Sequence, residues 1–321
     1  MQALDKSTRI YVAGHKGLIG SALVRRLEAA GHTDIVTAPR GELDLTRAGD
    51  VRAFFERAKP EVVLLAAGRV GGIVENQRIP ETFITENLAI QLNVMGAARD
   101  TGVERLVFFA SSCMYPRECP QPMAEDALLT GKPEETSLPY AISKLAGLHT
   151  CLAYNKQYEN TRFLPVIPNS AYGPNDDFDP RSSHVLSALM RRMHEAKRDR
   201  APFVELWGTG TPRREFVHAD DIADACYFLL QQDPAAIPLP LNIGIGVDYS
   251  IRELAELIAR VVDYRGDLKW NTSKPDGAPR KLLDSSRLQA LGWRPRVGLE
   301  EGLRSTYEWY LRNAGKAATT A

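Results

Sequence analysis

Residues 9–31 read RIYVAGHKGLIGSALVRRLEAAG. A short apolar run, Ile10 to Ala13, leads into Gly14-His15-Lys16-Gly17-Leu18-Ile19-Gly20, after which apolar residues recur at helical spacing. That is a strand, a glycine turn and a helix. The alternation continues outward: DIVTA (34–38), the helical DVRAFFERA (50–58), the buried-strand run EVVLLAA (61–67), a helix over 82–100, and the strand RLVFFAS (105–111). A helix near 138–158 and the strand RFLPVI (162–167) extend the rhythm. Strands separated by helices predict an α/β fold with a doubly wound parallel sheet.

The stretch PNSAYGPNDDFDPRSS (168–183) is rich in proline, glycine and aspartate and breaks the rhythm, so a second unit is expected to begin there. The expected division is a Rossmann-type domain over 1–168, rejoined by about 212–243, and a smaller α/β substrate-binding lobe from 169–211 and 244–315. The segment EFVHADDIADACYFLLQQ (215–232) is the return to the first domain, and IRELAELIARVV (251–262) a helix of the second. Residues 316–321, small and polar, are expected to fray.

The chain has 321 residues, with 40 Lys+Arg against 40 Asp+Glu. Zero formal charge offers no bulk attraction for nucleic acid or an anionic membrane, so any charged ligand must be held by a local cluster. Hydrophobic residues at 44% and charged residues at 25% suit a globular protein with a sizeable core. The four cysteines, at 113, 119, 151 and 226, lack metal-ligand spacing, so no metal is expected and a reducing compartment fits. No signal core or membrane-length apolar run is visible, and the expected location is cytoplasmic.

A GxxGxxG turn in the first βα connection lets the backbone approach a pyrophosphate and aims helix N-terminal amides at its charge. Where NAD sites place an acidic residue, about 20 positions on, this chain has Ala38-Pro39-Arg40. Arg40 offers paired donors to a 2′-phosphate and Lys16 adds a second charge, so NADP(H) is expected over NAD. Tyr140-Ala-Ile-Ser-Lys144 sets a phenol and an ammonium on one helix face, where the cation is expected to favour phenolate and make Tyr140 a usable acid-base group. The strand end Ala110-Ser111-Ser112 lies upstream. Together these resemble the extended branch of the short-chain dehydrogenase/reductase superfamily.

The resemblance sharpens over SSCMYP (111–116), YAISK (140–144), SSHVLSALMRR (182–192), WGTGTPRREFVHADD (207–221) and KPDGAPRKLLD (274–284). This set is similar to the GDP-L-fucose synthase family, the GDP-4-keto-6-deoxymannose 3,5-epimerase/4-reductases, across both lobes. Sugar-nucleotide dehydratases of the superfamily carry an acidic pair where this chain has Cys113. The resemblance implies Cys113 and His184 as the proton-transfer pair at C3 and C5 of a 4-keto sugar. It implies Tyr140, Ser111 and Lys144 for reduction at C4. Arg192, Trp207, Arg214, Asp276 and Lys281 fall on the family's GDP-sugar site. Gly14 through Gly20, Arg40, Asp44, Leu45, Ala110, Ser111, Lys144, Pro168, Asn169, Ser170, Ala171 and His184 fall on its cofactor segments. Homodimers are the implied assembly.

One departure stands out. Where relatives commonly read P-T-N-L-Y-G-P, this chain reads Pro168-Asn169-Ser170-Ala171-Tyr172-Gly173-Pro174, and Asn169 is the candidate to supply the missing amide from one position earlier. The same chemistry on a 3,6-dideoxy sugar or a heptose is therefore an open alternative. A non-catalytic NADPH-binding regulator is a second, against which Ser111, Cys113, Tyr140, Lys144 and His184 argue.

Overall fold

The computed structural model describes residues 4–158, 162–274 and 276–317, so Pro275 of the KPDGAPRKLLD motif and 318–321 of the tail lie outside the described residues. In chain order the first elements are β1 (Ile10–Ala13), α1 (Leu18–Ala29), β2 (Ile35–Val36), α2 (Ala48–Ala58), β3 (Val62–Leu65), α3 (Ile73–Arg78), α4 (Pro80–Asp100), β4 (Arg105–Phe109), α5 (Leu138–Gln157) and β5 (Arg162–Pro168). Then come β6 (Ser170–Tyr172), α6 (Val185–Arg198), β7 (Phe203–Trp207), β8 (Arg213–Arg214), β9 (Phe216–His218), α7 (Ala219–Leu230) and β10 (Leu241–Ile243). The last are β11 (Tyr249–Ser250), α8 (Ile251–Val262), β12 (Asp267–Asn271), β13 (Arg280–Lys281), α9 (Ser286–Ala290) and α10 (Leu299–Ala317).

Six strands form one parallel sheet in the order β10-β5-β4-β3-β1-β2. Their side chains alternate between two cores. Ile10, Val12, Leu64, Val107 and Leu164 face the layer of α1 and α7, whereas Tyr11, Val63, Phe108 and Phe163 face α2, α4 and α5. A parallel strand covered by helices on both faces must be apolar on both, which is why these segments read as unbroken hydrophobic runs. From β1 the chain steps outward to β2 and then crosses back to β3, so the switch point where such sheets bind ligands lies at the end of β1, where the glycine turn begins.

After β5 the chain leaves the sheet, and it returns through α7, packed on α1, and β10, paired with β5. The remaining pieces build small sheets: β6 with β9, β7 with β12, and β8 between β11 and β13. A third core of Leu186, Met190, Leu254, Ile258 and Tyr310 holds α6, α8 and α10 together. Helix α8 opens with a reciprocal cap in which Ser250 and Glu253 satisfy each other's backbone amides. The last helix runs to Ala317, so 316 and 317 are helical rather than frayed. Among the described residues no helix is long and apolar enough to cross a membrane.

Candidate active site

The glycine turn is packed to the limit of its backbone. Gly14 has φ +80°, and a Cβ there would stand 2.8 Å from the main chain of Ala67; a Cβ on Gly20 would stand 2.1 Å from the Gly14 carbonyl. Gly17 is freer: it is the extended N-cap of α1 and provides no side-chain cap, which leaves that helix end open to a ligand. The His15 Nδ1 is buried with no partner among the described residues, and burial lowers its pKa. A backbone cradle with an orphaned ring nitrogen fits a dinucleotide pyrophosphate. Lys16 and Arg40 are exposed, and the Arg40 guanidinium lies 3.7 Å from Glu86. Asp44 is occupied in its own turn, accepting from the Thr46 amide at 3.0 Å and hydroxyl at 2.7 Å, and these bonds hold its carboxyl below the usual range. Leu45 is buried and its carbonyl receives the Asn93 amide.

At the end of β4, Ala110 is buried in the sheet, its amide bonded to the Val166 carbonyl. Ser111 caps the single turn Ser112–Met114, accepting from the Cys113 amide at 3.2 Å. Cys113, a free thiol, is therefore the middle residue of a tight turn and is half-buried. From α5, the Tyr140 phenol lies close enough to Ser111 and Cys113 for both to act on its ionisation. Burial raises the phenol's pKa, with Cys113 adding to the rise and Ser111 opposing it.

Lys144 refines one expectation. Its ammonium does not bond the phenol: it donates to the Phe109 carbonyl at 2.8 Å and sits 5.9 Å from the centre of the Tyr140 ring, so it acts on the phenol as a nearby charge. Burial pushes Lys144 down to about 8. Helix α5 rides so low on the sheet that a Cβ at Gly147 would stand 2.5 Å from the Phe108 ring and 2.1 Å from the Gln91 amide oxygen. That close approach is what lets Lys144 reach a strand carbonyl.

His184 is the N-cap of α6, but its ring makes no capping bond, which removes the plain structural reason for a histidine there. The side chain is open to solvent yet hemmed in by protein, as on the wall of a cleft; crowding lowers its pKa while Asp177 opposes the shift. Its loop meets the sheet domain directly: the Gly72 amide donates to the Ser182 carbonyl at 2.8 Å, and a Cβ at Gly72 would approach the Ser183 carbonyl at 3.1 Å. Phe83 completes the bridge, lying edge-on to Tyr140 and against Gly71.

The remaining candidates form a continuous line. Arg192 and Trp207 border a hollow of about 360 Å³ with Ala196, Phe203, Val204 and Glu205, and the Arg192 guanidinium donates to the Glu205 carbonyl at 2.8 Å. Trp207 is 58% exposed. The next residue, Gly208, has φ +77° and packs against Asp276, whose carboxylate takes the Thr209 amide at 2.9 Å and hydroxyl at 2.7 Å. A Cβ on Gly277 would stand 3.1 Å from the Arg214 guanidinium; Arg214 is paired across strands with Lys281 and reaches the field of Cys113. The line thus runs from an exposed indole, past Asp276, to two cations and the thiol.

Asn169 does not compensate for the missing amide. It is buried, its Nδ2 donating to Glu215 at 2.6 Å and to the Lys281 carbonyl at 3.4 Å, its Oδ1 accepting from Ser112 at 3.1 Å, and its backbone amide bonded to Ile243. Pro168 ends the buried strand β5, and Ser170 and Ala171 remain half-exposed on β6. Sequence reading also passed over Phe83 and Glu215. Glu215 had a signal available: beside Arg214 in an extended strand it must face the opposite way, toward the interior.

A doubly wound sheet with a glycine turn at its switch point and a Ser-Tyr-Lys group beside it defines a dinucleotide-dependent enzyme of the short-chain dehydrogenase/reductase class. The chain belongs to the NAD dependent epimerase/dehydratase family, whose model matches residues 10–244. Within it, the chain is 53% identical over 309 residues to GDP-L-fucose synthase 1 of Arabidopsis thaliana, covering 96% of this chain and 95% of that one. It is 46% identical to the GDP-L-fucose synthase of Escherichia coli K12, covering 95% and 97%. Among solved structures, a GDP-D-glycero-L-gluco-heptose synthase from Campylobacter jejuni in the presence of NADPH superposes with a TM-score of 0.90 at 36% identity, covering 96% of this chain and 99% of that one.

Proposed function

We propose that this chain catalyses the NADPH-dependent 3,5-epimerisation and 4-reduction of GDP-4-keto-6-deoxy-D-mannose to GDP-L-fucose. The observation that carries the reading is the succession of neighbours from the Trp207 hollow through Gly208 and Asp276 to Gly277 and Arg214, whose charge acts on Cys113. It matches a guanosine diphosphate sugar in order: base at the indole, diphosphate at Arg214 and Lys281, ketose at the thiol.

A 4-ketone acidifies the hydrogens on C3 and C5. Cys113 as thiolate takes one proton and becomes a thiol, while the electron pair of the broken C–H bond moves into an enolate whose oxygen meets Tyr140 and Ser111. His184 as imidazolium returns a proton to the opposite face of the ring and is left neutral, inverting the centre. Cys113 then releases its proton to water and His184 regains one from water, and a second round inverts the other carbon. NADPH, when bound, supplies the hydride for C4. Tyr140 then gives its proton to the C4 oxygen, Ser111 holds that oxygen, and Lys144 restores charge balance to the phenol. Gly14 to Gly20 would cradle the pyrophosphate, and Arg40 with Lys16 the 2′-phosphate. The division into a cofactor domain and a substrate lobe, near the boundaries expected from sequence, is part of the same reading.

Two further parts follow. Leu92 on α4 and Ile142 on α5 are exposed apolar residues on adjacent helices and support a homodimer. The four cysteines are free thiols, which supports a cytoplasmic setting. A GDP-keto-heptose is the second reading of the substrate, favoured by the heptose synthase likeness and by Ser170 in place of the commonly found amide.

The deciding experiment is incubation with NADPH and each ketone in deuterated water, with the product identified by NMR. GDP-L-fucose labelled at C3 and C5 is expected from the deoxymannose ketone, and no label with Cys113→Ser, which should still bind NADPH. Protein that binds NADPH but consumes it with no GDP-4-keto sugar would overturn the assignment.

A further inference from the structure

Glu215 is fully buried, yet it is a carboxylate with four donors around it: Asn169 Nδ2 and the Ile245 amide at 2.6 Å, the Gly246 amide at 2.8 Å and the Leu283 amide at 3.1 Å. Gly244 is held at contact, since a Cβ there would stand 2.6 Å from the carboxylate. Such a group is costly to bury and is retained only where its bonds fix something. The sheet edge, the turn after β10 and the strand β13 all converge on it.

The most informative partner is Asn169. A carboxylate can only accept, so the amide nitrogen must face Glu215 and the amide oxygen must face Ser112, whose hydroxyl then has to donate. The 3.1 Å bond from Ser112 Oγ to Asn169 Oδ1 completes that order. Ser112 is the first residue of the turn that has Cys113 at its centre. The far end of the turn is fixed independently, by the Tyr115 hydroxyl bonded at 2.7 Å to Asn242. Meanwhile Arg214, the neighbour of Glu215, lies near enough to Cys113 for the two charges to interact.

We propose that Asn169 and Glu215 are positioning residues for Cys113, acting through Ser112 to aim the sulfur at the sugar carbon. The proposal rests on the reading of Cys113 as the carbon base. Proton removal from carbon is sensitive to placement, and a misplacement of about 1 Å costs about 100-fold. Reduction at C4 does not use the sulfur as a reacting atom, so breaking the chain should depress exchange more than reduction.

The test measures two rates in the intact enzyme: deuterium uptake at C3 and C5 with NADP⁺ present, and NADPH oxidation with a GDP-4-keto sugar already in the L-galacto configuration. The expected result is a fall in the exchange-to-reduction ratio of about tenfold or more in Asn169→Ala and in Ser112→Ala. Alkylation of Cys113 by iodoacetamide, followed on its peptide by mass spectrometry, should change rate in step. Asn169→Thr keeps one donor and one acceptor and should restore part of the ratio. An unchanged ratio overturns the proposal, as does equal restoration by Asn169→Val. If Asn169→Ala fails to fold, Ser112→Ala breaks the same chain at its other end and decides alone. Normal exchange in Cys113→Ser would instead overturn the base assignment itself.

Discussion

The two sides of the cleft are held by different means. On one, Ser111, Cys113, Tyr140 and Lys144 follow directly from β4 and α5, and the residues behind them are buried in a core that spans the central sheet. On the other, His184 stands at the start of α6, Arg192 on its outer face, Trp207 at the end of a two-stranded sheet and Asp276 in a loop, all exposed to solvent. The proposed mechanism puts the chemistry, which depends on tenths of an ångström, on the first side, and recognition of a large ligand, which tolerates adjustment, on the second.

Substitutions that remove one polar or aromatic group from each side should therefore separate rate from affinity. The largest effect is expected at Tyr140→Phe, which should lower kcat for NADPH oxidation about 10²- to 10⁴-fold with little change in KM. Steady-state kinetics checks this, and a rise in KM instead would dissolve the distinction between the sides. Trp207→Ala should do the converse, raising KM for the GDP-sugar about tenfold, or about 1.4 kcal/mol, with kcat within about twofold. Equal loss in kcat would mean the indole also aligns the reacting sugar.

A third effect, on stability rather than on kinetics, concerns the segment that carries His184. Asp176 is buried beneath it, accepting from the Ser187 hydroxyl and the Asp177 amide, and burial pushes its pKa up to about 7. A carboxyl raised in the folded state gives stability that is fully present below its unfolded pKa, near 3.8, and is lost as pH rises through about 7. Asp176→Asn has no such titration. The variant should gain on the parent by up to about 1.4 kcal/mol per pH unit between about 4 and 7, and hold that gain above. Urea unfolding of both proteins across this range measures it, and a pH-independent difference would show Asp176 charged in the native state.

Legibility followed the same division. The β1, β3, β4 and β5 strands are unbroken apolar runs, and a pattern that can only be buried on both faces declares itself without knowledge of neighbours. Cys113 and Tyr140 were readable because each stands in a local motif beside a strand end or within a helix. Strand alternation could turn Glu215 inward, but the partnership of Glu215 and Asn169 was not readable, because what defines it is three segments far apart in the chain meeting at one carboxylate. Asn169 was even read in the wrong direction: residue type suggested an open amide, and only the burial of Glu215 turns it inward. Lys144 was placed correctly on its helix, but its bond to Phe109 depends on how closely helix and sheet approach, which periodicity does not encode.

That approach is set at Gly147. The phenol and the ammonium are borne by one rod, and the absent side chain at Gly147 is part of what sets the height of both. A methyl group there would press on the Phe108 ring and the Gln91 amide, so any shift of the rod would move the two groups together.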